Sequence, residues 1–258
     1  MLPPVVDNAA DAKDHIREHG LALICGQLSA AQLETARAAT YAAVDEDRRL
    51  GRKADTFGLD YGDKNVRVWN ILNRNAVFRD IVQLPIVLDL LREVIGWPAL
   101  LGNISANIAE PGSDGGMLHA DQLFVPTPWP AAPQGMNVGV LLDDFTADNG
   151  ATEVVPHSHV LPGEADETKL PAKAVPVIAP AGTLMVFESR VRHRTGSNRS
   201  QHPRAALFGW YTRPIYRTQE NWFLSLDKEV IETASDELLV LLGYKTQGLG
   251  LVYGQSPR

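Results

Sequence analysis

The chain is expected to be mainly β with added α, an antiparallel sandwich or small barrel behind a helical N-terminal layer. Two contrasts in the sequence predict this. From about residue 99, short apolar or alternating runs recur between Gly, Pro, Asn and Asp, whereas the first hundred residues carry helix-type caps and stripes. The 258 residues suffice for one sizeable core, and barrels of this length are often single domains. We therefore read one domain over 1–258, with a mostly helical layer at 1–98, the barrel core at 99–213 and a C-terminal segment at 214–258.

In the first layer, Ser29-Ala-Ala-Gln32 has capping-box spacing and opens an Ala-rich helix running to about Asp45. Pro85 suits a first helical position. Val87, Leu90, Leu91 and Val94 then form one apolar stripe that Gly96 ends. The predicted strand runs are 99–109, 117–125, 136–145, 151–155, 174–178, 182–188 and 204–213, with Pro-rich loops at 126–133 and 171–180. Near the C-terminus, Ser235 to Leu242 reads as a short helix with Gly243 capping its end.

Composition bounds the function. The chain is 45% hydrophobic and 21% charged, ordinary for a folded protein, with a net charge of −7. No basic run stands out, so nucleic acid and anionic membrane are poor partners and a small-molecule substrate is expected; oligomeric state is not legible. No uninterrupted apolar stretch approaches the length of a membrane span, and no signal peptide is visible, so a cytoplasmic location is expected. The single cysteine, Cys25, closes no internal disulfide and reads as a small buried apolar residue.

Of seven histidines, His15 and His19 lie in a polar helical region and receive no role. His119 matters because of Asp121: on a strand, residues i and i+2 share a face, so an imidazole and a carboxylate can converge on one ion. His193 follows the apolar run Thr183–Phe187, and Arg204 begins the next strand, Ala205–Tyr211. Two histidines and one carboxylate fill one face of an octahedral ion and leave three positions open, the pattern of non-haem iron(II) oxygenases. A 2-oxo acid can take two of these and dioxygen the third. The far carboxylate of such a cosubstrate needs a buried cation, and the planar fork of Arg204 suits it. The same three ligands could also serve a zinc hydrolase or a cupin-type isomerase. A catalytically silent ligand-binding barrel is the remaining alternative.

The set Leu118–Gln122, Asn149–His159 and His193–Asn198 through Arg204 resembles the phytanoyl-CoA dioxygenase family, over most of the chain. The resemblance implies a double-stranded β-helix, a jelly-roll or cupin-like barrel braced by helices. It implies an oxidoreductase that requires iron(II), 2-oxoglutarate and dioxygen and releases succinate and carbon dioxide while oxidising an unactivated C–H bond. His119, Asp121 and His193 match the metal ligands, and Arg204 matches the cosubstrate anchor. Thr195, inside the second-histidine motif, is taken as a further cosubstrate contact. A filled Asp121 position argues against halogenation. His157 stands where relatives more often carry glycine, and His157 and His159 are assigned a loop role. Asn103, Ser105 and Asn107 alternate along one strand and face either inward or outward; Asn107 is the candidate for cosubstrate contact. Asn70, in Arg67–Asn73, either touches cosubstrate or substrate or serves as a cap or turn residue. Trp69, Phe124, Trp129 and Trp222 are candidate apolar walls. The acidic chain gives little support for a coenzyme A thioester, so a secondary metabolite, amino acid or other small molecule is the expected substrate.

Overall fold

The computed structural model describes residues 2–53, 58–161, 163, 170 and 172–258. Pro171, part of one expected loop, lies outside the described residues. In chain order the elements are β1 (Val5–Val6), α1 (Ala9–His19), β2 (Leu21–Ile24), α2 (Ala30–Arg49), β3 (Asn65–Val68), α3 (Ala76–Ile81), α4 (Pro85–Val94) and β4 (Leu100–Ala109). They continue with β5 (Gly135–Leu141), β6 (Thr152–Val154), β7 (Val175–Pro176), β8 (Leu184–Glu188), β9 (His193–Thr195) and β10 (Arg204–Thr212). The last three are α5 (Trp222–Ser225), α6 (Lys228–Glu232) and α7 (Asp236–Leu241).

Seven strands form one sheet in the order β1-β2-β8-β5-β10-β4-β3, and β7-β6-β9 form a second. All neighbours are antiparallel except β1 and β2. The large sheet is buried on both faces. Ala22, Ile24, Leu184, Val186, Ala205 and Leu207 pack under the helices, while Leu21, Leu23, Met185, Phe187 and Ala206 join Phe145, Val154 and Val177 of the small-sheet side. Burial on both faces explains why β2 and β8 read as continuous apolar runs rather than alternating ones. No helix among the described residues is long and apolar enough to cross a membrane.

The helix caps are as expected. Ser29 and Gln32 bond each other's backbone N–H groups, and α2 runs past Asp45 to Arg49. Pro85 opens α4, and the Ser235 side chain accepts from the Leu238 N–H at the start of α7.

Four expectations are corrected. The first hundred residues are not only a helical layer: they supply β1, β2 and β3, with β2 inside the large sheet between β1 and β8. Four consecutive apolar residues were too short a run to separate a doubly buried strand from a helix end. The run 117–125 is not a strand; His119 makes an isolated bridge, and Asp121–Phe124 is a 3-10 turn. The C-terminal segment carries three short helices rather than one. Finally, Cys25 is exposed, because β2 ends at Ile24 and only the Cys25 backbone N–H continues the pairing, to the Val6 carbonyl at 2.8 Å.

Glu220 ties the C-terminal segment to the sheet. Its carboxylate accepts the Asn70 N–H at 3.1 Å and the Ile104 N–H at 3.2 Å, where β3 no longer covers β4. Burial raises its pKa to about 7 against the opposing pull of those two hydrogen bonds. A carboxyl group whose pKa is higher folded than unfolded favours the folded state most at low pH. That contribution, on the order of 3 kcal/mol, is lost as pH rises through about 7. We predict that thermal stability falls between pH 5 and 8, and that Glu220→Gln flattens this dependence in a melting series across that range.

Candidate metal centre

The site begins with a pair of backbone hydrogen bonds. The His119 N–H donates to the His193 carbonyl at 3.0 Å, and the His193 N–H returns the bond to His119 at 2.9 Å. In an antiparallel pair of this kind the two side chains leave on the same side, close together. The imidazole centroids stand 4.4 Å apart. The chain around Gly115 and Gly116 lies against β9 to make this possible, with the Gly116 N–H bonded to the Thr195 carbonyl at 2.9 Å. A β-carbon at residue 115 would meet that carbonyl oxygen at 2.7 Å, and one at residue 116 would meet the Leu59 oxygen at 2.8 Å.

Asp121 opens the 3-10 turn that follows. Its Oδ1 lies 3.5 Å from His119 Nε2 and its Oδ2 lies 3.6 Å from His193 Nε2. The three ligand atoms all fall within 4.8 Å of one another. Adjacent ligands of an octahedral ion with bonds of about 2.1 Å stand roughly 3 Å apart, so the tripod would draw inward around an ion. The outer ring nitrogens are already committed. His119 Nδ1 lies 2.9 Å from the Met117 carbonyl and His193 Nδ1 lies 3.1 Å from that of Val191. A carbonyl can only accept, so each Nδ1 carries the proton and each Nε2 presents its lone pair to the centre.

At His193 electrostatics agree with this protonation. Burial pushes His193 down to about 4 despite the nearby Asp121 carboxylate, which keeps the ring neutral. Burial alone would raise Asp121, but His193 and His119 outweigh it and hold the group at about 2. His119 is pulled down by burial and more than restored by its contact with Asp121.

The tripod opens into a cavity of about 270 Å³. Because Ala205 and Leu207 face the helices, Arg204, Ala206, Phe208 and Trp210 face the small sheet. Asn107, Ser105 and Asn103 are paired with Ala206, Phe208 and Trp210, so this polar row points inward, and all three residues line the cavity. Thr195 lines it too, as do Trp69 and Phe124. Trp129 and Trp222 do not. Trp129 packs on the Arg192 guanidinium, and Trp222 is in the helix-side core with its indole N–H on the Leu101 carbonyl. Asn70 does not line the cavity either. It is a left-handed residue at φ 57° whose side-chain oxygen accepts from Asn73, so it serves the turn.

Arg204 is 1% exposed. One Nη bonds the Gly150 carbonyl, the guanidinium carbon stands 4.5 Å from the Phe145 ring centre, and Nε and the other Nη have no partner. Burial lowers its pKa to about 10, with Asp143 opposing, so it remains a cation. A buried cation with unspent donors fits a carboxylate. The Asn107 Oδ1 is likewise without a partner. The tripod therefore fits an iron-type ion; Arg204 is not among the residues lining the cavity and holds its unspent donors at the end of the same sheet face. His157 and His159 stand apart from the tripod; the His157 Nδ1 bonds the Glu18 carbonyl at the end of α1 at 3.1 Å.

Sequence reasoning passed over Asn137, Thr152 and Gln219, which also line the cavity. Asn137 had a signal, as a polar residue inside the fully buried strand β5. Thr152 and Gln219 had none, since one sits in a three-residue strand and the other in a loop.

The model of the phytanoyl-CoA dioxygenase family matches residues 16–206, which include the three ligands and Arg204. The chain belongs to that family. Among relatives in the family, dioxygenase af480 of Aspergillus fumigatus is 36% identical over 249 residues, spanning 93% of this chain and 80% of its own length. Dioxygenase trt7 of Aspergillus terreus is 31% identical, over 80% of this chain and 74% of its own. Two solved structures share the fold. AviO1 from Streptomyces viridochromogenes superimposes with a TM-score of 0.65 at 24% identity, over 81% of this chain and 96% of that one. The epimerase SnoN, in complex with Fe3+, α-ketoglutarate and nogalamycin RO, gives 0.61 at 21% identity, over 89% and 92%.

Replacing His119 or His193 by Ala removes one of three ligands. Metal affinity should then fall by more than the ~10–100-fold that loss of an outer hydrogen-bond partner typically costs. Cobalt(II) titration followed by its visible absorption reads this directly, and unchanged affinity would remove the residue from the site.

Proposed function

We propose that this chain is an iron(II)- and 2-oxoglutarate-dependent oxygenase that oxidises an unactivated C–H bond of a small molecule. One observation carries the proposal: three ligand atoms converge beside a cavity whose sheet continues to a fully buried arginine with unspent N–H donors. A hydrolytic zinc site would make no use of such a cation.

His119, Asp121 and His193 would hold the metal from one side, leaving its other positions turned to the cavity. The two Nδ1–H bonds keep both rings in the ligating tautomer without movement. Arg204 would neutralise the far carboxylate of the cosubstrate, with Asn107 and Thr195 contacting it from the cavity wall on facing sheets. Iron(II) with 2-oxoglutarate and dioxygen supplies the oxidising chemistry when bound, with succinate and carbon dioxide as co-products. The protein contributes placement and exclusion of water. Trp69, Phe208 and Trp210 contribute apolar surface to the cavity wall. Because Asp121 fills the carboxylate position, the outcome belongs to hydroxylation, desaturation, epoxidation or ring closure rather than halogen transfer.

Anaerobic addition of iron(II) and 2-oxoglutarate should develop a weak visible charge-transfer band, and its absence would contradict the chelate. Asp121→Ala should abolish succinate formation; an active variant would end the proposal. Arg204→Ala should retain metal and raise the KM for 2-oxoglutarate by on the order of 100-fold, the loss of about 2–3 kcal/mol from a charge-assisted pair.

A further inference from the structure

A second cavity of about 310 Å³ adjoins the metal cavity, and Asp121, Phe124, Trp210 and Gln219 line both. The two differ in how their polar groups are spent. In the metal cavity the Asn107 oxygen is without a partner, and at the end of the same sheet face two N–H groups of Arg204 are as well. In the second cavity the polar side chains are bound mainly to one another and to backbone. Gln122 Oε1 accepts the Gln134 N–H at 3.0 Å, while Gln134 donates to the Ala132 carbonyl at 2.8 Å and accepts from Tyr216 at 3.0 Å. Ser189 Oγ accepts from Asn137 at 3.2 Å and from the Trp210 indole at 3.1 Å, and Thr218 donates to the Glu220 carbonyl at 2.7 Å. Of the buried polar side-chain atoms in this wall, only the Gln122 amide nitrogen is left over among the described residues. The charged groups of this wall are Asp121, at the junction with the metal cavity, and Arg217, at the exposed rim; elsewhere a charge brought against it would lose water and gain no charged partner.

Trp210 sets the shape. A β-carbon on Gly102 would stand 2.4 Å from the indole, and one on Gly135 would stand 2.9 Å from its nitrogen, so both positions are cleared for a ring lying flat on the sheet. With one face on Gly102 and its nitrogen held by Ser189, the indole turns its other face to the cavities. Phe124, three residues after the carboxylate ligand, stands with its ring 5.7 Å from that of Trp210, yet Phe124 is 71% exposed. An aromatic side chain that open at the junction of two cavities has apolar surface still to bury.

We propose that the second cavity receives the substrate, and that this substrate is a largely apolar, uncharged, ring-bearing molecule stacked on Trp210 and covered by Phe124. This rests on the oxygenase reading, which assigns the metal cavity to the cosubstrate. Substrate and cosubstrate are thereby separated by polarity, and Phe124 and Trp210 become specificity-determining residues.

The test titrates N-phenyl-1-naphthylamine, a neutral apolar fluorophore, into the full chain with and without anaerobic iron(II) and 2-oxoglutarate. The wild type should bind one equivalent with enhanced emission. Phe124→Ala, at an exposed ring, and Trp210→Ala should each weaken binding about tenfold. Phe223→Ala, in the next groove, which Leu100 and Val240 line and which meets the second cavity only at Tyr216, Arg217 and Thr218, should leave it unchanged. No binding by the wild type, or loss in Phe223→Ala with retention in Phe124→Ala, would overturn the proposal. The charge-transfer band is read in the same samples. A normal band with no probe binding at the second cavity rejects this inference alone, whereas a missing band strikes the oxygenase reading beneath it.

Discussion

The centre depends on the paired backbone hydrogen bonds between His119 and His193. These residues are far apart in sequence, and neither lies in a long strand that would position it independently. The mutual bonds fix the separation and direction of two Cα–Cβ vectors at once, and the Nδ1 bonds to Met117 and Val191 then fix ring rotation and tautomer. Asp121 is carried to the same point by the 3-10 turn that follows. Thus the ligand geometry is held mostly by main chain, which is stiffer than side-chain packing. Gly115 and Gly116 matter because the main chains could not approach so closely with a β-carbon between them.

The large sheet gives the rest of the site its form. Since both its faces are buried, each strand sends alternate residues to the helix side and to the facing small sheet. Arg204, Phe208, Trp210, Asn103, Ser105 and Asn107 all belong to the second set. Helices cover the opposite face, so a polar row inside the fold does not expose its sheet to water from behind. The cost of keeping Arg204 buried and cationic is met in part by Asp143, which accepts from Tyr41 at 2.7 Å and from the Ala205 N–H at 2.8 Å. That leaves donors for a ligand rather than satisfying the guanidinium completely. In the neighbouring cavity, by contrast, the polar groups bond mainly one another and the backbone.

Local chemistry was legible wherever it acts over a few residues. The Ser29–Gln32 box, Pro85 at the start of α4 and Ser235 before α7 all cap as their sequences predict, because capping is settled within one turn. Failures came where burial by distant elements decides the outcome. Leu21–Ile24 became a central strand only because helices and the small sheet cover its two faces. Cys25 fell outside because that strand stops one residue earlier. The i, i+2 argument for His119 and Asp121 expected a strand, whereas a bridge and a 3-10 turn bring the two residues together.

The sequence by itself determined the candidate ligand types, their order, the arginine that follows the second histidine and the helix caps, since these depend on residue chemistry and short-range spacing. Only the tertiary structure decided which face of β4 turns inward, that Asn70 serves a turn while Asn107 reaches the cavity, and that Phe124 and Trp210 stand at the junction of two cavities. The physical reason is that facing, burial and cavity shape are properties of pairings between segments remote in sequence, and no single segment carries the information about what will cover it.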